Sequence, residues 1–400
     1  MPFDPISYQL AKKAAARSVI SYDRDGDGFI EYIATRKYET MPAVGAQYEL
    51  AIDNADGYLK AFNPADNTWR RVSYAPLNGY SGFDNAGGGA WHNYINIPVT
   101  TIPSEYAQYR VVINGGTVEV YSVDGILKAS GSGLDSFWTY VRSNGLDIRV
   151  FDQAKSQLYF WTEEWDYINQ KATIWVNLTA GGTELNIAYG NPSALKSSYE
   201  NGEQVFEFFD DFEDGVIDEK WDVSNLGSVV EENGYLEIDP NTNTWNNMDS
   251  AAIASSYISA NFIAEAYLEY IGRPNDLAQI YLMLEGPDGY VYAGIGDPWE
   301  AYNPEFRADI NGDSYKSGQN TRPESGTCKI TIKRVDGLVE IYENDNLRKS
   351  GTFTGDFTTL KLVNTRYQTY NWKTARWHYI KILKLADPAD FGTPVILSFD

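Results

Sequence analysis

The chain is poor in the residues on which most protein chemistry relies. Its 400 residues include one cysteine, Cys328, and two histidines, His92 and His378. A single cysteine excludes an intramolecular disulfide framework, and Cys328 reads as a small core residue. A histidine-based nucleophilic triad has only two positions to draw on, and neither lies in a nucleophile motif. Basic residues are also scarce: 32 Lys and Arg stand against 55 Asp and Glu, a formal net charge of −23. Such a chain lacks the positive footprint that neutralises phosphates and releases counterions, so no nucleic-acid partner is expected. The acidity reads as solubility or as carboxylate-rich cation sites. No run approaches the ~20 apolar residues of a membrane-spanning helix, so no membrane insertion is expected. The N-terminus also lacks the basic, apolar and small-residue segments of a secretory signal. Tyr, Asn and Gly usage nevertheless suits an extracellular protein. Together these point to assembly inside a cell followed by release, the route that virus particles take.

What is abundant is strand-forming sequence. Apolar residues make up 43% of the chain, enough to build two or three cores at ~100–200 residues per domain. One helix is expected, over residues 4–18: Asp4 can cap it, Pro5 fits its first turn, and Ile6, Leu10 and Ala14 share one face. Fifteen residues are marginal as a free helix, so that face needs cover from the chain itself or from a neighbouring subunit. Beyond residue 30, β-branched and aromatic residues alternate with polar ones, and Gly, Asn and Asp punctuate them at turn spacing. Residues 42–76 read as hairpins turning at 54–57 and at Asn63-Pro64. The Gly82–Gly89 segment lacks the lysine and helix of a phosphate loop and reads as a flexible linker. A faint repeat is present. The stretch from Tyr109 and the stretch from Cys328 both run strand, turn, strand ending in Val/Ile-Tyr, turn, then a Leu, a Lys and Ser-Gly. In each, Val118 and Val120, or Val339 and Ile341, fall on one face, with Glu119 or Glu340 on the other.

Between Asn144 and Trp221 the strings NGLDIRVFD, ATIWVNL, LNIAYGNP, FEFFDDFE and VIDEKW follow in order. The first three, with Gly145-x-Asp147-Ile148-Arg149, Trp175-Val176 and Tyr189-Gly190-Asn191-Pro192, resemble an uncharacterised β-sandwich domain of archaeal and bacterial surface and viral proteins. The last two, with Asp210-Asp211-Phe212 before Lys220-Trp221, resemble the entry of a concanavalin A-like lectin/glucanase jelly roll of laminin G-like type. The two resemblances together run from about residue 90 to residue 388. They imply a mostly β, multi-domain β-sandwich/jelly roll with a short N-terminal helix. The expected parts are the helix (1–20), a β-rich region (21–89), a middle sandwich (90–205), the jelly roll (206–388) and a tail or edge strand (389–400). Asn233-Gly234 marks a tight hairpin. In the segment 262–270, Phe262, Ala264, Ala266, Leu268 and Tyr270 point inward and Glu265 and Glu269 outward. Trp175, Trp221 and Trp377 are assigned to cores.

Candidate chemistry is sparse. Asp23, Asp25 and Asp27 followed by Gly28 begin like an EF-hand loop, with Glu31 at position nine. Position twelve is Ala34 in place of the bidentate Glu, so the loop is a candidate structural calcium site and alternatively a solvated turn between helix and first strand. One branch of the jelly-roll superfamily hydrolyses glucans with Glu-x-Asp-x-x-Glu. Neither Glu164-Trp165-Asp166 nor Glu237-Ile238-Asp239 completes that pattern, so no catalytic residue is assigned. Glycan binding needs only exposed aromatic faces beside amides and carboxylates. Trp245, Trp299, Tyr302, Tyr367, Tyr370 and Trp372 supply such faces, each with core or interface as the alternative. Asn177-Leu178-Thr179 fits a glycosylation sequon, and Asp210 with Asp211 is a candidate structural cation site. The reading is a non-enzymatic structural or adhesion protein: a virion spike, fibre or decorating subunit with a lectin-like domain for host-surface or glycan attachment. Its expected setting is the virion or an extracellular surface, with other subunits, copies of itself and a glycan as partners. The alternatives are a cellular surface or secreted carbohydrate-binding protein and a divergent glycoside hydrolase.

Overall fold

A computed structural model describes the strands Ile20–Tyr22, Tyr32–Ala34, Arg36–Tyr38, Leu50–Asp53, Leu59–Asn63 and Thr68–Arg71, and then residues 82–84, 89–224, 226–239, 251–255, 258–270, 278–296, 305–317, 325–366, 375–385 and 389–398. These residues are mostly β, and among them helix is confined to Ser136–Tyr140 and Gly202–Val205. None of the described helices is long and apolar enough to cross a membrane. The helix expected over 4–18 lies outside the described residues. Ile20–Tyr22 pairs antiparallel with Tyr32–Ala34, so segment 23–31 connects two paired strands and does not lead from a helix into a first strand. Arg36–Tyr38, Leu50–Asp53, Leu59–Asn63 and Thr68–Arg71 form a four-stranded sheet whose first pair is parallel. Its two hairpins turn where Asn54–Gly57 and Asn63-Pro64 stand in the sequence.

Two β-sandwiches follow. In the first, one sheet runs in the order Leu127–Ser132, Thr117–Ser122, Ala107–Asn114, Lys171–Leu178, Phe160–Asp166. The facing sheet runs Arg149–Phe151, Glu184–Tyr189, Asn93–Thr101. Strand alternation turns Val111, Ile113, Val118, Val120, Ile174 and Val176 into a core shared with Ile95, Ile97, Leu185 and Ile187. Each such side chain contributes roughly 1.5–3 kcal/mol on burial. The second sandwich faces an eight-stranded sheet against a seven-stranded one, all antiparallel. Phe262, Ala264, Ala266, Leu268 and Tyr270 point into its core as the alternation requires, alongside Trp221, Trp377 and the buried Cys328. Asn233 and Gly234 take positive φ values of 52° and 74°, the conformation a two-residue hairpin turn needs.

The internal repeat is physical. Each sandwich carries the same three-stranded meander, Ala107–Asn114 to Leu127–Ser132 in one and Gly326–Val335 to Asn346–Thr352 in the other. Val118, Val120, Val339 and Ile341 are all fully buried. On the opposite face Tyr121 donates to Glu119 at 2.7 Å, as Tyr342 does to Glu340 at 3.0 Å.

Two local expectations change. The Gly82–Gly89 segment is not simply a linker, because Phe83 is buried against Trp91 and Phe151, and Asp84 is tied down by long-range bonds. The tail does add edge strands, but to the first sandwich: Asp390–Phe391 and Val395–Ser398 both pair with Asn93–Thr101. Ala389 and Phe391 enter that core, where Tyr109 packs edge-on to Phe391. The second sandwich is therefore inserted into the first, with both chain crossings at one end.

Candidate functional site

The sandwiches meet through outward-facing positions that alternation would give to water. From the first come Trp161, Glu163 and Trp175; from the second come Glu265, Tyr379 and Lys381. A bulge between Thr162 and Glu164 frees Glu163 from the pairing register. Lys381 is 1% exposed, with Nζ 2.5 Å from Glu163 and 3.1 Å from Glu265. Glu163 also accepts from Trp175 Nε1 at 2.7 Å, and Glu265 from the Tyr379 hydroxyl at 2.8 Å. The rings of Trp175 and Tyr379 lie 4.8 Å and 5.1 Å from the ammonium. Burial works against the charge on Lys381, but the Glu265 and Glu163 charges outweigh it and raise its pKa. Burial works likewise against Glu265, and Lys381 with Lys329 outweighs it, holding that carboxyl below its ordinary value. Trp175, assigned to a core from sequence, thus packs in this seam with Val205, Phe206, Phe209, Ile263 and Leu383.

The connector between the sandwiches runs through the seam. Asn201 caps the Gly202–Val205 turn by accepting from the Glu203 and Gln204 amides. Gln108 donates to Val205 O at 2.7 Å and accepts from Lys384 N at 3.0 Å, so one amide holds both chain crossings. The sequon residue Asn177 is engaged here, donating to Gln204 O at 3.0 Å.

Beside the seam opens a groove of about 690 Å³, bordered by Trp161, Phe209 and Tyr379 and by carboxylates of both sandwiches. Lys220 crosses its floor, 2.6 Å from Asp218, 2.8 Å from Glu203 and 3.3 Å from Asp210. Burial opposes its charge, and the bonds to Asp218 and Glu203 overcome it, raising its pKa. Asp210 also accepts from Trp221 Nε1 at 2.7 Å, while Trp161 Nε1 lies 3.4 Å from Asp211. Of the two carboxylates read as a cation site, Asp210 has the Lys220 ammonium 3.3 Å away. Among the described residues no cluster of His, Cys, Asp and Glu suits a metal. At one end of the groove Asp214 hydrogen-bonds Glu231. Burial, then that bond and the Asp210 and Asp214 charges, push the Glu231 pKa up to about 7.

The motif residues form a structural knot. Asp147 is fully buried, accepting from Arg142 N at 3.0 Å and from Gly190 N at 2.7 Å, so the Gly-x-Asp-Ile-Arg and Tyr-Gly-Asn-Pro strings bond to each other. Burial pushes its pKa up to about 6 against the pull of those amides. Arg149, 1% exposed, pairs with Asp84 at 2.9 Å and donates to Leu146 O, Ile148 O and Leu195 O. Burial raises the Asp84 pKa, but Ser198, Gln157 and Arg149 outweigh it and hold it low.

Residues 144–224, which span this knot, the connector and the groove floor, match the model of a domain of unknown function, DUF2341. No curated protein matches the chain. Solved structures that match include the laminarinase catalytic domain from Thermotoga maritima MSB8, at 12% identity over 46% of this chain and 98% of that one, TM-score 0.33. The Bacillus licheniformis beta-glucanase matches at 9% identity over 44% of this chain and 98% of that one, TM-score 0.32. A xylan beta-1,4-xylosidase from Bacillus halodurans C-125 matches at 14% identity over 85% and 76%, TM-score 0.33.

The residues singled out from sequence, Asp23, Asp25, Asp27 and Glu31 and then Trp245, Trp299, Tyr302, Tyr367, Tyr370 and Trp372, lie outside the described residues. The strands flanking the six aromatic positions are described. Arg366 pairs opposite Ala278, Gln279 opposite Gly296, Gly296 opposite Glu305, and Ile238 opposite Ala375. The strand ends that flank segments 240–250, 297–304 and 367–374 therefore all lie at one end of the second sandwich. The chain crossings, near Phe262 and Lys384, are at the other end. Sequence reasoning missed Glu163, Glu265, Lys381 and Lys220. The one signal for them was the run of aromatic residues at outward strand positions, Trp161, Trp175 and Tyr379.

Proposed function

We propose that the chain is a non-enzymatic structural or adhesion protein that holds glycans at the free end of its second sandwich, as a subunit of a virion or cell surface. The observation that carries this reading is the strand register that puts the strand ends flanking the Trp245, Trp299 and Trp372 segments at one end, opposite the chain crossings. Support comes from the seam, whose buried ion cluster and paired crossings hold that end away from the first sandwich. A glycan array probed with the full chain tests it. Binding is expected for the native protein and a loss of ten-fold or more for Trp245→Ala, Trp299→Ala and Trp372→Ala combined. Absence of binding to any glycan or cell-envelope preparation sinks the reading. The setting is tested by genomic context, where capsid, portal or tail genes alongside this one support a virion. Assembly with copies of itself is tested by sedimentation. Calcium at Asp23, Asp25, Asp27 and Glu31 is part of the proposal: Asp25→Asn with Asp27→Asn should lower the melting temperature in calcium but not in chelator.

A divergent glycoside hydrolase is the second reading, and one observation favours it. The Asp214 and Glu231 pair offers a protonated carboxyl near neutral pH at the edge of the groove. Release of reducing ends from oligosaccharides, abolished by Glu231→Gln, would establish that reading over adhesion.

A further inference from the structure

We propose that a cleft around Arg110, on the seam but outside the groove and far from the loop end, is a binding site for the carboxylate of an acidic sugar. Arg110 stands on the outward face of Ala107–Asn114, with Tyr121 and Trp175 as its direct cross-strand neighbours. Its guanidinium carbon lies 5.1 Å from the Tyr121 ring centre and 5.8 Å from that of Trp175. Its Nε is buried and has no hydrogen-bond partner. Of the other described arginines, Arg149, Arg307, Arg348 and Arg376 each pair with a carboxylate, and Arg142 and Arg334 each donate to a backbone carbonyl. Arg110 pairs with none among the described residues.

The surroundings explain why Arg110 is left over. The cleft, about 340 Å³, brings in three carboxylates, and lysines already hold all of them. Glu163 and Glu265 bind Lys381, and Glu164 binds Lys171 at 2.9 Å. Glu119, nearby on the adjacent strand, accepts from the Tyr121 hydroxyl. A guanidinium presents five donors in a planar fork that matches a carboxylate, and rings on both sides keep that fork in place while removing water from it. The volume suits roughly one or two pyranose units. The Thr173 hydroxyl and the Lys171–Glu164 pair at its wall offer partners for sugar hydroxyls. An acidic loop of a folded protein is disfavoured because the cleft is confined between two sheets.

The test is calorimetric titration of the full chain with a glucuronate disaccharide, its methyl ester and a neutral disaccharide. The acid is expected to bind at least ten-fold tighter than the ester, with the preference shrinking as salt is raised. Arg110→Gln should abolish the preference and Arg110→Lys should retain part of it. Equal binding of acid and ester overturns the proposal. So does binding of an Asp- and Glu-rich peptide in place of the uronate, or an unchanged preference in a folded Arg110→Gln protein. The acid and ester comparison uses the native chain and stands even if Arg110→Gln fails to fold. Trp245→Ala, Trp299→Ala and Trp372→Ala combined should leave this preference intact, which separates failure here from failure of the loop-end reading.

Discussion

At the scale of single residues, the seam's behaviour is set by charges taken out of water. Lys381 bridges Glu163 and Glu265 and offsets their mutual repulsion, so Lys381→Met leaves two carboxylates of the seam with only Lys329, 3.8 Å from Glu265, as a counter-charge. Removing one partner of a buried ion pair costs about 3–5 kcal/mol. Replacing the whole cluster, as Lys381→Met with Glu163→Gln and Glu265→Gln, should recover most of that loss. Denaturant midpoints of the two variants check this, and a triple variant no more stable than the single one refutes it. Glu231 gives a pH signature. Its ordinary pKa of 4.5 is raised to about 7 in the folded chain, so between those values the folded state holds a proton that the unfolded state has released. Its contribution to stability is therefore complete below about pH 4.5 and is lost as pH rises through about 7. Melting temperatures of Glu231→Gln should fall less across that window than those of the native protein; parallel curves would remove Glu231 as the cause. Neither group was legible in the sequence. A lysine or glutamate at the outward position of an alternating strand looks the same whether that face meets water or another sheet. Arg149 is the contrasting case, because its recurring motif could be read, but its partner Asp84 stands 65 residues away in a glycine-rich stretch that composition assigns to a linker.

At the scale of elements, legibility follows the range of the interaction. Strand Phe262–Tyr270 could be read outright because one face alternates with period two, and the Asn233-Gly234 hairpin because a local φ requirement selects its residues. The connector could not, since its conformation is decided by what closes over it. Gly202 opens the capped turn, and a Cβ at that position would lie 2.2 Å from the Phe209 ring. Phe209 cannot retreat, because it stacks on Phe206 and meets Trp161 edge-on at 4.9 Å. Gly202→Ala should therefore destabilise by about 1–3 kcal/mol through overpacking. Pairing it with Phe209→Leu should cost less than the sum of the two single changes, as expected for residues in direct contact. Thermal unfolding of the four members of this cycle measures the coupling, and strict additivity would show that the turn is not held by that ring.

At the scale of the whole molecule, the tail is what makes the second sandwich an insertion. An apolar C-terminal strand could be expected from composition, but the sheet it joins could not: Val395–Ser398 pairs with Asn93–Thr101 across some three hundred residues, and no local pattern encodes that partnership. The topology makes a sharp prediction. Ending the chain after residue 388 removes Ala389 and Phe391 from the first core, takes the backbone partner from the Tyr109 hydroxyl and bares one edge of Asn93–Thr101. It removes nothing from the second core, whose last strand is Ala375–Lys384. Amide exchange should then rise strongly in Asn93–Thr101, Ala107–Asn114 and Glu184–Tyr189, while Phe262–Tyr270 and Thr359–Arg366 keep native protection. The seam shares Lys381, Gln108 and the aromatic cluster between the two bodies, so Phe160–Asp166 and Lys171–Leu178 should show intermediate protection, being held from the second sandwich's side alone. Loss spread evenly over both sandwiches would mean that they fold as one cooperative unit. No loss at all would mean that the first sandwich closes without its returning strand.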